Sequence, residues 1–246
     1  MVCKISYFCH MIPNGTPFID IHTHQFYDRQ GCHDAATLRY YTYGIHPWCV
    51  ENAPHFDVLK RLLQTNRLAA IGETGIDRLH KETLPLQFEC FEKHILLSEQ
   101  YQKPLIIHNV KATADILRFQ KKHHPKQVWI IHGFNGSTEE ARQLTSNGIF
   151  LSVGESIFYP NRKISQSIQS IPLDYLFFET DISEKTIQQI YEKASELLNL
   201  PLERLKQQIF SNFAHLNLTP WKTGNNAPDC SLATVALINL NEAMSL

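Results

Sequence analysis

Short apolar runs alternate with amphipathic helical segments along most of the 246-residue chain, and this alternation constrains the fold more than any other feature. The strand candidates are 18–22 (FIDIH), 40–45 (YYTYGI), 68–72 (LAAIG), 105–108 (LIIH), 128–132 (VWIIH), 149–153 (IFLSV) and 174–179 (DYLFFE). The runs LIIH and YLFFE are apolar on both faces, as strands of a helix-covered parallel sheet must be. Helical stripes lie between them. In 54–66, Phe56, Leu59, Leu62 and Leu63 recur at helical spacing, and 85–102 and 184–198 carry similar stripes. Residues 137–147 open on the capping pair Ser137 and Glu140 and stop at Gly148, and a last helix starts at Pro201. Such alternation predicts a parallel α/β architecture, and the length suits a single barrel. Seven strands are one short of a complete barrel. The shortfall lies at 25–39, QFYDRQGCHDAATLR, which is polar and too short for a helix–strand unit. The expected fold is a TIM-barrel-like, incomplete seven-stranded parallel barrel over 18–221. An N-terminal arm (1–17) and a C-terminal appendage (222–246) flank it. A loop or part of the arm is expected to cover the open seam, because a bare strand edge invites association.

The formal net charge of -1 excludes an extended basic footprint for long nucleic acid. The six cysteines form no CxxC pair, so zinc-finger and thioredoxin readings have no support. The start MVCKISYFCHMIPNGTP lacks the apolar core of a secretory leader, and no run approaches the roughly 20 apolar residues of a membrane span. The expectation is a cytoplasmic protein with free thiols, no membrane attachment and no obligate protein partner.

Thirteen histidines raise metal binding or acid–base chemistry as a question. His22 and His24 end the first strand. Strand residues two apart point the same way, about 6–7 Å from one another, so both imidazoles can grip one cation. A pair of partly buried strand-end histidines is the plain alternative. Glu73, His108, His132 and Asp181 tip the balance, because each follows an apolar run. In a parallel barrel all strand C-termini open on one face, where active sites sit. Six ligand-type side chains exceed what one tetrahedral ion needs, so two metal ions bridged by Glu73 are the economical arrangement.

The segments FIDIHTH, YGIHPW, AIGETGID, KPLIIH, WIIHGFNGS and LFFETD occur in the order and register of the TatD family of metal-dependent deoxyribonucleases. The chain resembles that family over roughly 18–216, including SNFAHL. The resemblance implies an amidohydrolase-like barrel holding two divalent ions (Mg, Mn, Zn or Ni) and a phosphodiesterase acting on DNA ends or single-stranded DNA. It maps the ligand roles onto His22, His24, Glu73, His108, His132 and Asp181. His22, His24 and Asp181 would hold one ion, and His108 and His132 the other. Glu73 and Asp181 would be catalytic, with Asp181 the general base. It also implies that His46 contacts substrate phosphate.

The chain departs from the family in three places. The stretch from HxH to GIHP is about half the usual length. Asn109-Val110-Lys111-Ala112 stands where the family carries Ser-Arg-Asp-Ala, so Lys111 is the candidate phosphate contact. Ile182 and Ser183 replace a small residue and proline after ETD. Trp48, Phe134, Phe158 and Tyr159 lie in loops after strands, where they could stack on a base or roof the barrel. Asp77 could orient a loop or a ligand histidine. His94 and the remaining histidines read as core or surface residues. Two other functions fit the same residues: hydrolysis of small esters, amides or aminoacyl-tRNA, and a non-enzymatic nucleic-acid or protein adaptor.

Overall fold

The structure is a computed structural model, and it describes residues 5–9, 16–24, 38–52, 56–66, 68–216 and 218. Residues 25–37 of the short connection and the appendage 222–246 lie outside the described residues. Seven strands make one sheet in chain order: β1 (Ile5–Cys9), β2 (Leu38–Tyr43), β3 (Ala70–Asp77), β4 (Leu105–Val110), β5 (Trp129–Ile131), β6 (Phe150–Val153) and β7 (Leu176–Phe178). Strands β2 to β7 are parallel, each to the next. The intervening helices are α1 (Phe56–Gln64), α2 (Leu84–Tyr101), α3 (Thr113–His123), α4 (Thr138–Ser146), the short α5 (Ile164–Ser167) and α6 (Ile187–Leu198), with α7 (Leu202–His215) last. The alternation thus gives the expected α/β layers. The Ser137–Glu140 capping box opens α4 as expected, and Thr186 with Gln189 forms a second one at α6.

Three points differ from expectation. The strand placed at 18–22 is an extended segment and not a strand in its own right. It runs parallel beside the β7 end through Ile21 N–H to Phe178 O at 3.0 Å, Asp181 N–H to His22 O at 2.9 Å and His24 N–H to Asp181 O at 3.0 Å. Here the Asp20 carboxylate takes the Thr180 N–H at 3.1 Å and its hydroxyl at 2.7 Å, so a side chain replaces part of the ladder. The parallel set is therefore six strands plus this bonded segment. The second difference is at the seam: the arm covers the edge of β2 as expected, but it does so as an antiparallel strand of the sheet, β1.

The third is that β3 does not stop before Glu73. It runs on to Asp77, with a register shift against β4 between Ile71 and Thr74. Glycines permit this crowding: a Cβ on Gly75 would collide with the His108 carbonyl oxygen. Beyond the shift, Gln87 of α2 clamps the strand end, accepting the Asp77 N–H at 2.8 Å and donating to its carbonyl at 3.2 Å.

The core lies between sheet and helices. Trp129, Phe177, Phe178, Phe91 and Tyr191 are its largest fully buried side chains, each contributing about 1.5–3 kcal/mol by leaving water. Tyr191 of α6 also positions the site. Its hydroxyl accepts from Ile19 N–H at 3.2 Å and donates to Ile19 O at 3.0 Å, pinning the 18–24 segment. His94 is a core residue as expected: Nε2 accepts the Ile45 N–H at 3.1 Å, and Nδ1 lies 2.7 Å from the Cys90 carbonyl. Among the described residues no helix is long and apolar enough to cross a membrane.

Candidate metal centre

The fold brings all six expected ligand residues together. Glu73 is at the centre and buried. Its Oε1 faces one group of imidazoles, at 2.6 Å from His132 Nε2, 2.7 Å from His108 Nδ1 and 3.2 Å from His46 Nε2. Its Oε2 faces another, at 3.5 Å from His24 Nε2 and 3.8 Å from His22 Nε2. Asp181 Oδ1 closes that second group, 3.4 Å from Nε2 of both His22 and His24. Three sets have ligand atoms close enough to share an ion: His22, His24 and Glu73; His22, His132 and Asp181; and His46, Glu73 and His108.

Electrostatics follow from this crowding. Burial alone would raise the Glu73 pKa. The charge of His132 and hydrogen bonds from His108, His132 and His24 outweigh it and hold the carboxyl well below its usual range. Burial disfavours charged His132, but Glu73 and Glu179 win and raise it well above an ordinary imidazole. Asp181 is lowered: burial opposes, while the His22 imidazole beside it and the charges of His132 and His24 prevail. For His46 burial dominates over Glu73, and the pKa falls.

The orphaned atoms test whether a cation fits. Both nitrogens of His22, Nε2 of His108 and Nδ1 of His132 are buried and make no hydrogen bond. A buried polar atom left so costs about 1–3 kcal/mol, and an ion among these imidazoles and carboxylates would recover that loss. The mixed His/carboxylate donor set suits divalent cations. The residues present therefore fit a metal site.

Several expectations need correction or extension. His46, the implied phosphate contact, is not open to solvent. It is buried against Glu73, and its Nδ1 accepts the Trp48 N–H at 3.2 Å. That pairing leaves the ring proton on Nε2, aimed at Glu73. Phe134 is buried in the core cluster and is not a surface for substrate. The close approach of Gly136 to its ring encloses it. Tyr159 is exposed, its hydroxyl 3.4 Å from Glu155 Oε1. Lys111 is exposed on the loop after β4, in a left-handed conformation with φ 52°. Asp77 touches both the loop and a histidine: its Oδ1 accepts the Leu79 N–H at 2.8 Å, and its Oδ2 lies 3.5 Å from His108 Nε2.

Two residues of the site went unread in the sequence. Glu179 is buried, accepts the Gly133 N–H at 2.6 Å and lies 3.7 Å from His132 Nδ1. Asp20 ties the 18–24 segment to Thr180, and burial pushes its carboxyl up to about 7. Period two was the available signal, since Asp20 shares a face with His22 and His24, and Glu179 with Asp181.

Residues 29–217 match the profile of the family described as TatD related DNase. The chain belongs to that family. It is 32% identical over 142 residues to an uncharacterized metal-dependent hydrolase of Buchnera aphidicola, covering 56% of this chain and 54% of that one. It is 35% identical over 126 residues to the uncharacterized metal-dependent hydrolase YabD of Bacillus subtilis, covering 50% and 49%. The chain thus spans about half the length of these two relatives. The crystal structure of the TatD homologue YjjV from Escherichia coli shares the fold, with a TM-score of 0.63 at 24% identity over 72% of this chain and 76% of that one. The architecture is therefore that of a TatD-like TIM barrel, incomplete in the described residues.

Proposed function

We propose that this TatD-family protein is a divalent-metal-dependent hydrolase, and specifically a deoxyribonuclease that cleaves phosphodiester bonds at the ends of DNA. One observation carries the reading: the two oxygens of Glu73 face two separate groups of imidazoles. That is the disposition of a bridging carboxylate. His22, His24 and Asp181 would hold one ion, His108 and His132 the other, with Glu73 between. The bound pair supplies positive charge for phosphoryl oxygens and lowers the pKa of water at the site.

The residues divide the remaining work. The Asp181 side chain is 34% exposed and that of Glu73 4%, so Asp181 is the carboxylate that solvent reaches. It takes the proton from the attacking water, as its lowered pKa permits. Glu179 and Asp77 orient His132 and His108. A net charge of -1 suits an enzyme gripping a few terminal nucleotides better than one that follows a duplex.

The test is elemental analysis of the purified protein, joined to a hydrolysis panel of single-stranded DNA, aryl esters and aminoacyl-tRNA with and without chelator. Chelator-sensitive release of nucleotides from DNA ends is expected. Cleavage of esters alone overturns the nuclease reading and keeps the hydrolase. Protein that binds no divalent ion and cleaves nothing is the adaptor outcome.

A further inference from the structure

Loops after the strands carry four aromatic side chains, and the structure separates them. Phe134 is buried and Phe158 half-buried, and the exposed Tyr159 turns its hydroxyl toward Glu155. Trp48 is different. It is 52% exposed, yet it borders the ligand cluster, with its ring 4.8 Å from that of His46 and 6.2 Å from that of His108.

Trp48 is also fixed at both ends. Its backbone N–H donates to His46 Nδ1 at 3.2 Å, and its Nε1–H donates to Asp77 Oδ2 at 2.8 Å. His80 lies beside the ring, with centroids 5.1 Å apart. The other oxygen of Asp77 holds the backbone of Leu79, whose side chain is 60% exposed. One buried carboxylate thus presents an indole and an adjoining aliphatic group to solvent, next to the candidate metal-ligand cluster. An exposed indole is costly in water, and a ring locked before binding loses little entropy when a planar ligand covers it.

Resting on the nuclease reading, we propose that Trp48 is a stacking platform for the nucleobase adjoining the scissile phosphate, with Leu79 at its edge. Stacking uses the π-face that every base has, so the platform accepts any base. It needs that base unpaired, which directs the enzyme to single strands and frayed ends. The occupant follows from the neighbouring cluster: a phosphodiester at the ligand residues places its own base within a few ångströms of the indole.

The experiment compares Trp48→Ala and Trp48→Phe with the parent, each also carrying Asp181→Asn for binding measurements. Binding of a labelled oligothymidylate by fluorescence anisotropy reads affinity without turnover. A twin oligonucleotide with an abasic terminal position reads the base itself. Trp48→Ala is expected to weaken binding of the intact oligonucleotide about 5- to 150-fold. It should leave no further loss on the abasic twin, and Trp48→Phe should recover most of the affinity. In turnover, the preference for oligonucleotide over bis(4-nitrophenyl) phosphate should drop by the same factor. Equal losses on the intact and abasic strands would overturn the platform and make Trp48 a support for His46 and Asp77, while the nuclease reading stands. A parent protein that cleaves aryl esters and neither binds nor cleaves any oligonucleotide overturns both.

Discussion

Two fully buried histidines show how opposite the demands on one side chain can be. His94, inside α2, and His22, beside β7, both have 0% exposure. His94 has both nitrogens satisfied, by the Ile45 N–H and the Cys90 carbonyl. His22 has neither, and its Nε2 points at the carboxylates of Asp181 and Glu73. A buried imidazole with two partners inside the chain is finished structure. One with no hydrogen bond at either nitrogen, turned toward carboxylates, is a candidate metal ligand. Burial alone distinguishes nothing here; the pairing does.

The contrast breaks first at Glu73. Glu73→Gln keeps the shape and removes the charge that faces both imidazole groups, so turnover should fall on the order of 1,000-fold or more. Divalent-ion content, measured on the purified variant, should fall with it. A variant that keeps full metal content and a tenth of parental rate would show that Glu73 bridges nothing.

His94 supplies the opposite test, in stability and not in turnover. Burial pushes its pKa down to about 4, from 6.5 for the ordinary imidazole. Because the folded pKa is lowered, the unfolded chain takes the proton first as pH falls. Stability is intact above about pH 6.5 and drains away as pH falls toward 4, by about 3 kcal/mol. His94→Gln can still accept the Ile45 N–H without taking up a proton. Urea unfolding of chelator-treated protein should show a shallower loss between pH 7 and pH 4 for His94→Gln than for the parent. Matching slopes would mean that His94 is not held neutral.

Asp181→Asn should cost more than about 100-fold in turnover with unchanged unfolding midpoints, as for removal of a positioned general base. Its side chain is partly exposed and leaves no hole in the core. More than a tenth of parental rate at saturating metal would move the general base elsewhere.

The clustering of the six candidate ligand residues was legible because each follows an apolar run, and because period two sets His22 and His24 on one face. The layer order was legible from the alternation alone. What stayed hidden depends on register between strands. Tyr43 of β2 pairs with Ile71 of β3, which carries His46 level with Glu73. No local pattern around GIHPW reports that pairing. The glycines of AIGETGID read as the end of a strand, whereas they let β3 run on beneath the His108 backbone. Phe134 read as a loop aromatic because tertiary packing, which no local pattern reports, places it in the core cluster. Glu179 ends an apolar run that marks only a strand, and its buried carboxylate has one oxygen on Gly133 N–H and the other unpaired.

Asp77→Asn makes the smallest change and probes the boundary between the two kinds of histidine. Asp77 lies 3.5 Å from His108 Nε2, close enough to orient the ring and too far to satisfy it. Burial raises its pKa, but hydrogen bonds from Trp48 and Leu79 and the charge of His108 outweigh this, so the group works as a carboxylate. An asparagine carries one acceptor oxygen instead of two. It cannot hold both the Trp48 indole and the Leu79 N–H, and it offers His108 no charge. Removing such an orienting partner typically weakens metal binding about 10- to 100-fold, and the long contact places this case near the lower end. Metal titration calorimetry should therefore show about a tenfold weaker ion, with kcat at saturating metal nearly restored. If kcat stays low at saturating metal, Asp77 acts on the reaction itself. If affinity moves less than twofold, His108 takes its orientation from Glu73 alone, and its unpaired Nε2 is as open as the nitrogens of His22.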